Sequence, residues 1–242
     1  TNRIAEQPYL NFFLFHEFYG YQKSFDIHNT NSNIIVELHW SLFNNSFAFP
    51  AEFELMWKDK INVKVEEAEI YTFGSQDLLI YLCAHASKHC WSCLQWICDI
   101  AELIRANPLL DWQKIQDKAK EMGCSRMLYI GLILAQDLLD AELSENIRQK
   151  INRDRQAKAL AKEVKDRLFN FSDPKFNSYL FILRCRERYR DKLQFLICLL
   201  CVPKQEDWRF IRLPQYLHFF YYAIRPLRLL IKAGKISGNS LK

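Results

Sequence analysis

Ile34-Ile35-Val36-Glu37-Leu38-His39-Trp40 is the stretch on which the reading of this chain turns. Side chains alternate across a strand, so Glu37 and His39, two apart, share one face while Ile34, Val36, Leu38 and Trp40 line the other. The second set is apolar enough to be core; the first sets a carboxylate beside an imidazole. Upstream, Lys23 to His28 alternates, with Phe25 and Ile27 on one face, and Asn29-Thr30-Asn31-Ser32-Asn33 is dense in turn formers. A hairpin is therefore expected to lead into the Glu37 strand. Residues 62–65 and 70–73 are short β-rich candidates for further strands, and residues 1–20 are aromatic without a helical stripe.

After Gly74 the pattern changes. Ser75 reads as an N-cap with Asp77 in the first turn, and Leu78, Leu79, Leu82 and Ala86 recur at helical spacing. Further helices are expected at about 91–106, stopped by Pro108, at 111–122, stopped by Gly123, and at 124–139. Others follow at about 145–170, 174–190, 191–201 and 214–232. The fold class is thus α+β and predominantly helical, a strand hairpin followed by an α-helical bundle. The change of type at Gly74 suggests an α+β domain over 1–74 and a helical domain over 75–242.

Composition narrows the function classes. A chain of 242 residues, half of them apolar, with 6 Gly and 7 Pro, is a folded globular protein. At that size it buries roughly 70–75% of its unfolded surface. The net charge of +5 comes from 33 basic and 28 acidic residues, well mixed along the chain, so no nucleic-acid partner is expected. The eight cysteines mostly sit in apolar helical runs, where a thiol behaves as a small hydrophobe, and they are read as reduced. No apolar run approaches the roughly 20 residues of a membrane crossing, and a cytoplasmic location is expected.

His85-Ala86-Ser87-Lys88-His89-Cys90-Trp91 carries the second cluster of chemistry. His85 and His89 are four apart and share a helix face, which Cys93 would extend if the helix ran on. Two imidazoles and a thiolate are zinc ligands, but no fourth ligand is evident, so zinc is not expected. Trp91, Leu94 and Trp96 read equally well as core, with the polar members pairing locally.

The Glu37-Leu38-His39-Trp40 strand and the His85-x-x-Lys88-His89-x-Trp91 helix together resemble a family of uncharacterised bacterial nucleotidyltransferases within the polymerase-β-like superfamily. The likeness runs on to Trp208-Arg209-Phe210-Ile211-Arg212-Leu213-Pro214 and to Tyr221–Arg228. It implies that the hairpin is part of a nucleotidyltransferase sheet. It also implies Mg²⁺-dependent transfer of a nucleotide from a nucleoside triphosphate to an unknown acceptor. In such chemistry divalent ions held by carboxylates neutralise the attacking and leaving oxygens. The resemblance makes Glu37 the catalytic, metal-binding carboxylate and directs His39, His85, Lys88 and His89 to the nucleotide and its phosphates. The family's Gly-Ser turn and paired D-x-D acids are not found: Gly74-Ser75 is followed by Ala84-His85-Ala86, and Asp26-Ile27-His28 lacks a second acid. The first strands of the catalytic sheet are therefore expected before Thr1, and activity of this stretch alone is left open. The alternative is a helical interaction module that keeps the fold without catalysis.

Pro214 to Lys235 combines Phe219, Phe220, Tyr221 and Tyr222 with Arg225, Arg228, Lys232 and Lys235. A basic aromatic helix suits an anionic membrane surface. A terminal helix docked on the bundle, its basic end meeting its own dipole, accounts for the same residues and is the expectation taken here.

Overall fold

A computed structural model describes residues 24–29, 34–39, 42, 43, 47, 53–169 and 176–239. The expectations for residues 1–20 and for the 30–33 turn lie outside these. Strands β1 (Ser24–Asn29) and β2 (Ile34–His39) pair as a two-stranded sheet. A short helix the sequence did not suggest, α1 (Phe53–Trp57), precedes a second sheet. There β3 (Ile61–Val65) runs antiparallel to β4 (Ala68–Thr72), with Ile61 opposite Thr72 and Val65 opposite Ala68. Glu66 takes φ 55°, the left-handed backbone that a two-residue hairpin turn requires.

Helices follow: α2 (Ser75–Lys88), α3 (Gln95–Ala106), α4 (Trp112–Met122) and α5 (Ser125–Leu139). Next come α6 (Glu145–Arg153), α7 (Arg155–Phe169), α8 (Ser178–Cys185) and α9 (Tyr189–Cys201). The last are α10 (Gln205–Phe210), a 3₁₀ turn (Gln215–Phe220) and α11 (Tyr221–Asn239). The fold is α+β and predominantly helical. Among the described residues, no helix is long and apolar enough to cross a membrane.

Several boundaries differ from the sequence reading, each for a local reason. Gly74, not Ser75, is the N-cap of α2, and the Ser75 hydroxyl instead donates to Asn107 Oδ1 at 2.7 Å. Helix α3 starts at Gln95 and not near 91, because Cys90 and Trp91 both adopt positive φ, 55° and 58°, which no right-handed helix admits. The helix read over 145–170 breaks at Asp154. That carboxylate accepts the Ala157 N–H at 3.0 Å, capping α7, and also the Arg126 guanidinium at 2.9 Å.

The chain forms two compact units. One holds the described residues of 39–43 and 49–192, the other those of 24–38, 47 and 193–239. In the first, α2, α3, α5 and α7 bury Leu79, Ile80, Cys83, Ile97, Ile100, Met127, Ile130, Leu134, Leu160 and Val164. Gly131 lets α5 approach this core closely, since a Cβ there would lie 2.5 Å from Cys83 Sγ. The N-terminus of α5 is capped from a distance: the Ser125 and Arg126 amides donate to the Glu187 carboxylate at 3.3 and 3.0 Å. Arg126 also donates to the Arg184 and Arg186 carbonyls. In the second unit the buried Asp207 holds Arg225 at 2.9 Å and Arg228 at 2.5 Å, and Arg225 donates to the Leu199 carbonyl. The Tyr221 hydroxyl bridges the backbone of the same unit, donating to Ile211 O and accepting from Leu213 N–H.

Candidate nucleotide wall on helix α2

Helix α2 is sided. Leu79, Ile80, Cys83, Ala86 and Ser87 are buried, which leaves Tyr81, His85 and Lys88 half-buried on the other flank and His89 exposed at its end. Tyr81, His85 and His89 recur every four residues and so stack along one stripe. Their ring centroids are 5.7 Å apart between Tyr81 and His85 and 4.8 Å apart between His85 and His89. Trp96, from the first turn of α3, closes on both imidazoles, edge-on to His85 at 5.7 Å and tilted to His89 at 5.5 Å. At the other end Tyr81 meets Phe43 at 5.8 Å and Phe73 at 5.7 Å, and Phe73 meets Trp57 at 5.4 Å. The spacings are those of favourable offset and edge-to-face ring pairs.

The bend between α2 and α3 makes this arrangement. Trp91 is buried with its indole N–H donating to Ser87 Oγ at 3.2 Å, its amide bonds Ala86 O at 2.8 Å, and the Arg167 guanidinium donates to Cys90 O at 2.7 Å. These contacts hold the two left-handed residues and return the chain so that Trp96 reaches the imidazoles. Of the alternatives left by the sequence, Trp91 is core and Trp96 is half-buried at the imidazole stripe. Asp99, one turn beyond Gln95, accepts the Gln95 amide at 2.8 Å.

Chemically, the stripe offers flat π faces on which a base can stack, two imidazoles that donate or accept by tautomer, and Lys88 as a compact cation. Helical periodicity shows that His85 and His89 share a face; the part of Trp96, eleven residues past His85, has no periodic signal. Strand β2 includes both Glu37 and His39, as read, but their side chains lie outside the described residues. Among the described residues no group of three or more His, Cys, Asp or Glu side chains is placed to hold a metal ion.

A cavity of about 460 Å³ opens at the other end of α2, lined by Asp59, Ser75, Asp77, Asn107 and Lys114 among others. It lies about ten helical residues, or roughly 15 Å, from Lys88. Its carboxylates are each matched to a lysine: Asp59 to Lys114 at 3.1 Å, and the buried Asp77 to Lys118. The Lys114 ammonium holds Asp59 below its ordinary value, whereas burial pushes the Asp77 carboxyl up against the pull of Lys118. The sequence reading takes Asp77 only as a first-turn acid and does not single out Asp59.

Comparison with curated proteins and with solved structures gives no match. A family model described as an uncharacterised nucleotidyltransferase matches residues 11–140, more than half of the chain and every ring from Phe43 to Trp96, and the chain belongs to that family.

Proposed function

We propose that the chain contributes to a nucleotidyltransferase that moves a nucleotide from a nucleoside triphosphate to an acceptor, with the α2 stripe receiving the nucleotide. The observation that carries this reading is the ring stripe of Tyr81, His85, His89 and Trp96 lying inside the residues matched to the family. In the proposal the base stacks on Trp96 and the imidazoles and Lys88 meets a phosphate, while Glu37 and His39 keep the catalytic and nucleotide-binding parts that the family resemblance gives them. Mg²⁺, if bound, supplies charge neutralisation for the phosphates. In this reading the part of the α2 stripe is to bind and orient the nucleotide. Triphosphates of this kind are drawn from the cytoplasmic pool, which is where the reading places the protein.

A second reading is a binding module that keeps the stripe without catalysis; a Gly-Ser turn with a D-x-D pair encoded before Thr1 would favour the enzyme over it. Calorimetric titration of a nonhydrolysable triphosphate into the chain, with and without Mg²⁺, tests both. Weak binding is expected, reduced about tenfold or more in Lys88→Gln through loss of a charged contact, and likewise in Trp96→Ala. Loss of the Mg²⁺-dependent part in Glu37→Gln supports the enzyme; binding that ignores Mg²⁺ and Glu37 supports the module. Equal binding by wild type, Lys88→Gln and Trp96→Ala refutes the nucleotide wall.

A further inference from the structure

Helix α11 is built inside out. At about 100° per residue, Tyr221, Arg225 and Arg228 share one side, and it is this side that turns inward: Arg225 is 3% exposed and ion-paired to Asp207, which is itself fully buried. The opposite side carries Leu227, Leu230 and Ile231, exposed by 59, 69 and 50%. The charged side is fixed, because Arg225 also donates to the Leu199 carbonyl and the Tyr221 hydroxyl is tied to Ile211 and Leu213. The helix therefore cannot roll over to hide its leucines without stripping a buried carboxylate of both guanidinium partners.

The segment that precedes α11 is also rich in exposed apolar residues. Phe210, Ile211, Tyr216, Phe219 and Phe220 are all exposed, and Arg209 and Arg212, also exposed, bracket the first two. From Lys204 to Lys242 there are eight Lys and Arg against Glu206 and Asp207, and no acid follows Asp207. A surface of aromatic and branched aliphatic groups in a basic, acid-free segment is complementary to a layer that is apolar inside and negative at its face. Arginines beside the apolar groups can keep their heads at the charged boundary while their stems and neighbours enter.

We propose that this C-terminal unit is a peripheral membrane-binding element, seating the apolar side of α11 and the preceding aromatic residues in an anionic lipid surface. The proposal does not depend on the nucleotide reading, since the segment lies outside the residues matched to the family. The test is co-sedimentation of the full 242-residue chain with phosphatidylcholine vesicles with and without phosphatidylserine. Partitioning is expected to rise roughly twenty-five-fold with the anionic lipid, about fivefold for each of two exposed arginines, and to fall with added salt. Leu227→Glu with Leu230→Glu should lower it at least tenfold with an unchanged circular dichroism melt. Arg209→Gln with Arg212→Gln, which touches no apolar residue, should bring the anionic value down to the neutral one. Equal partitioning onto both vesicle types overturns the proposal. So does a concentration-dependent dimer in analytical ultracentrifugation, abolished by the same leucine changes, with no vesicle binding, because a second copy would then cover the face.

Discussion

Replacing Gly131 by alanine asks whether α5 is held close to α2 and α3 by packing. Glycine inside a helix ordinarily costs 0.5 to about 1 kcal/mol against alanine, so on propensity alone the change should stabilise. Here the new Cβ would fall 2.5 Å from Cys83 Sγ, 3.0 Å from Trp91 Cη2 and 3.3 Å from Ile100 Cδ1. All three side chains are buried, so none can swing into solvent. Overpacking of such a site costs typically about 1–3 kcal/mol, which outweighs the propensity gain and leaves a net loss of about 1–2 kcal/mol. The sulfur is the nearest obstacle. In a Cys83→Ala background the closest remaining atom is on Trp91, and the penalty should shrink toward zero, a coupling of about 1 kcal/mol or more. Urea denaturation of wild type, both single variants and the double variant, followed by circular dichroism, measures this directly. A Gly131→Ala protein as stable as wild type, or an equal loss in both backgrounds, would refute the close approach.

Asp207→Asn should destabilise the C-terminal unit by about 3–5 kcal/mol, because the buried Arg225 loses its countercharge. Burial pushes the Asp207 carboxyl up, but the Lys204 amide and the Arg228 and Arg225 guanidiniums outweigh it and hold it below 3.8. Its contribution is thus complete above that value and lost as pH falls through the lowered one; an acid titration should show this loss in wild type and not in the Asp207→Asn variant. Maleimide at neutral pH should label the exposed Cys93 first. Burial pushes the Cys83, Cys124 and Cys185 thiols well up and Cys90 to about 11, so mass spectrometry should find these four modified only after unfolding. Comparable rates for Cys93 and Cys83 would contradict the burial. Gly123, at φ 69° with the Asp191 and Arg188 side chains over its Cα, should lose about 1–2 kcal/mol as alanine, whereas Asp140→Gly, at φ 53° on the end of α5, should gain up to about 1 kcal/mol in thermal or urea melts.

Local signals make the helices legible where they are strong. Pro108 and Gly123 mark the ends of α3 and α4 because a ring that cannot donate and a residue free to go left-handed stop helices whatever surrounds them. The sequence misleads where a polar side chain has two possible partners. Ser75 reads as a cap, but its hydroxyl serves Asn107; Asp154 reads as one more polar position in a long helix, but it caps α7 and holds Arg126. The start of α3 is misplaced because nothing in Cys90-Trp91 announces positive φ. For the site, the four-residue spacing of His85 and His89 is enough to put them on one stripe, whereas Trp96 arrives through a bend only the fold defines. Periodicity shows that α11 is amphipathic in composition but not which side faces in. That choice is made by Asp207, a residue in another element.

The capping of α5 by Glu187 bears on how this sequence can be inherited. The stretch matched to the family ends at residue 140, yet the amides that open its last helix are satisfied by a carboxylate 47 positions beyond that end, and Arg126 within it is gripped by Asp154 and the carbonyls of Arg184 and Arg186. A gene fusion or duplication that carried away only the matched portion would deliver a helix with bare N–H groups and an arginine without acceptors. A cut near residue 140 would remove these partners, so physically the stretch up to Glu187 belongs to the same packing block as the matched residues.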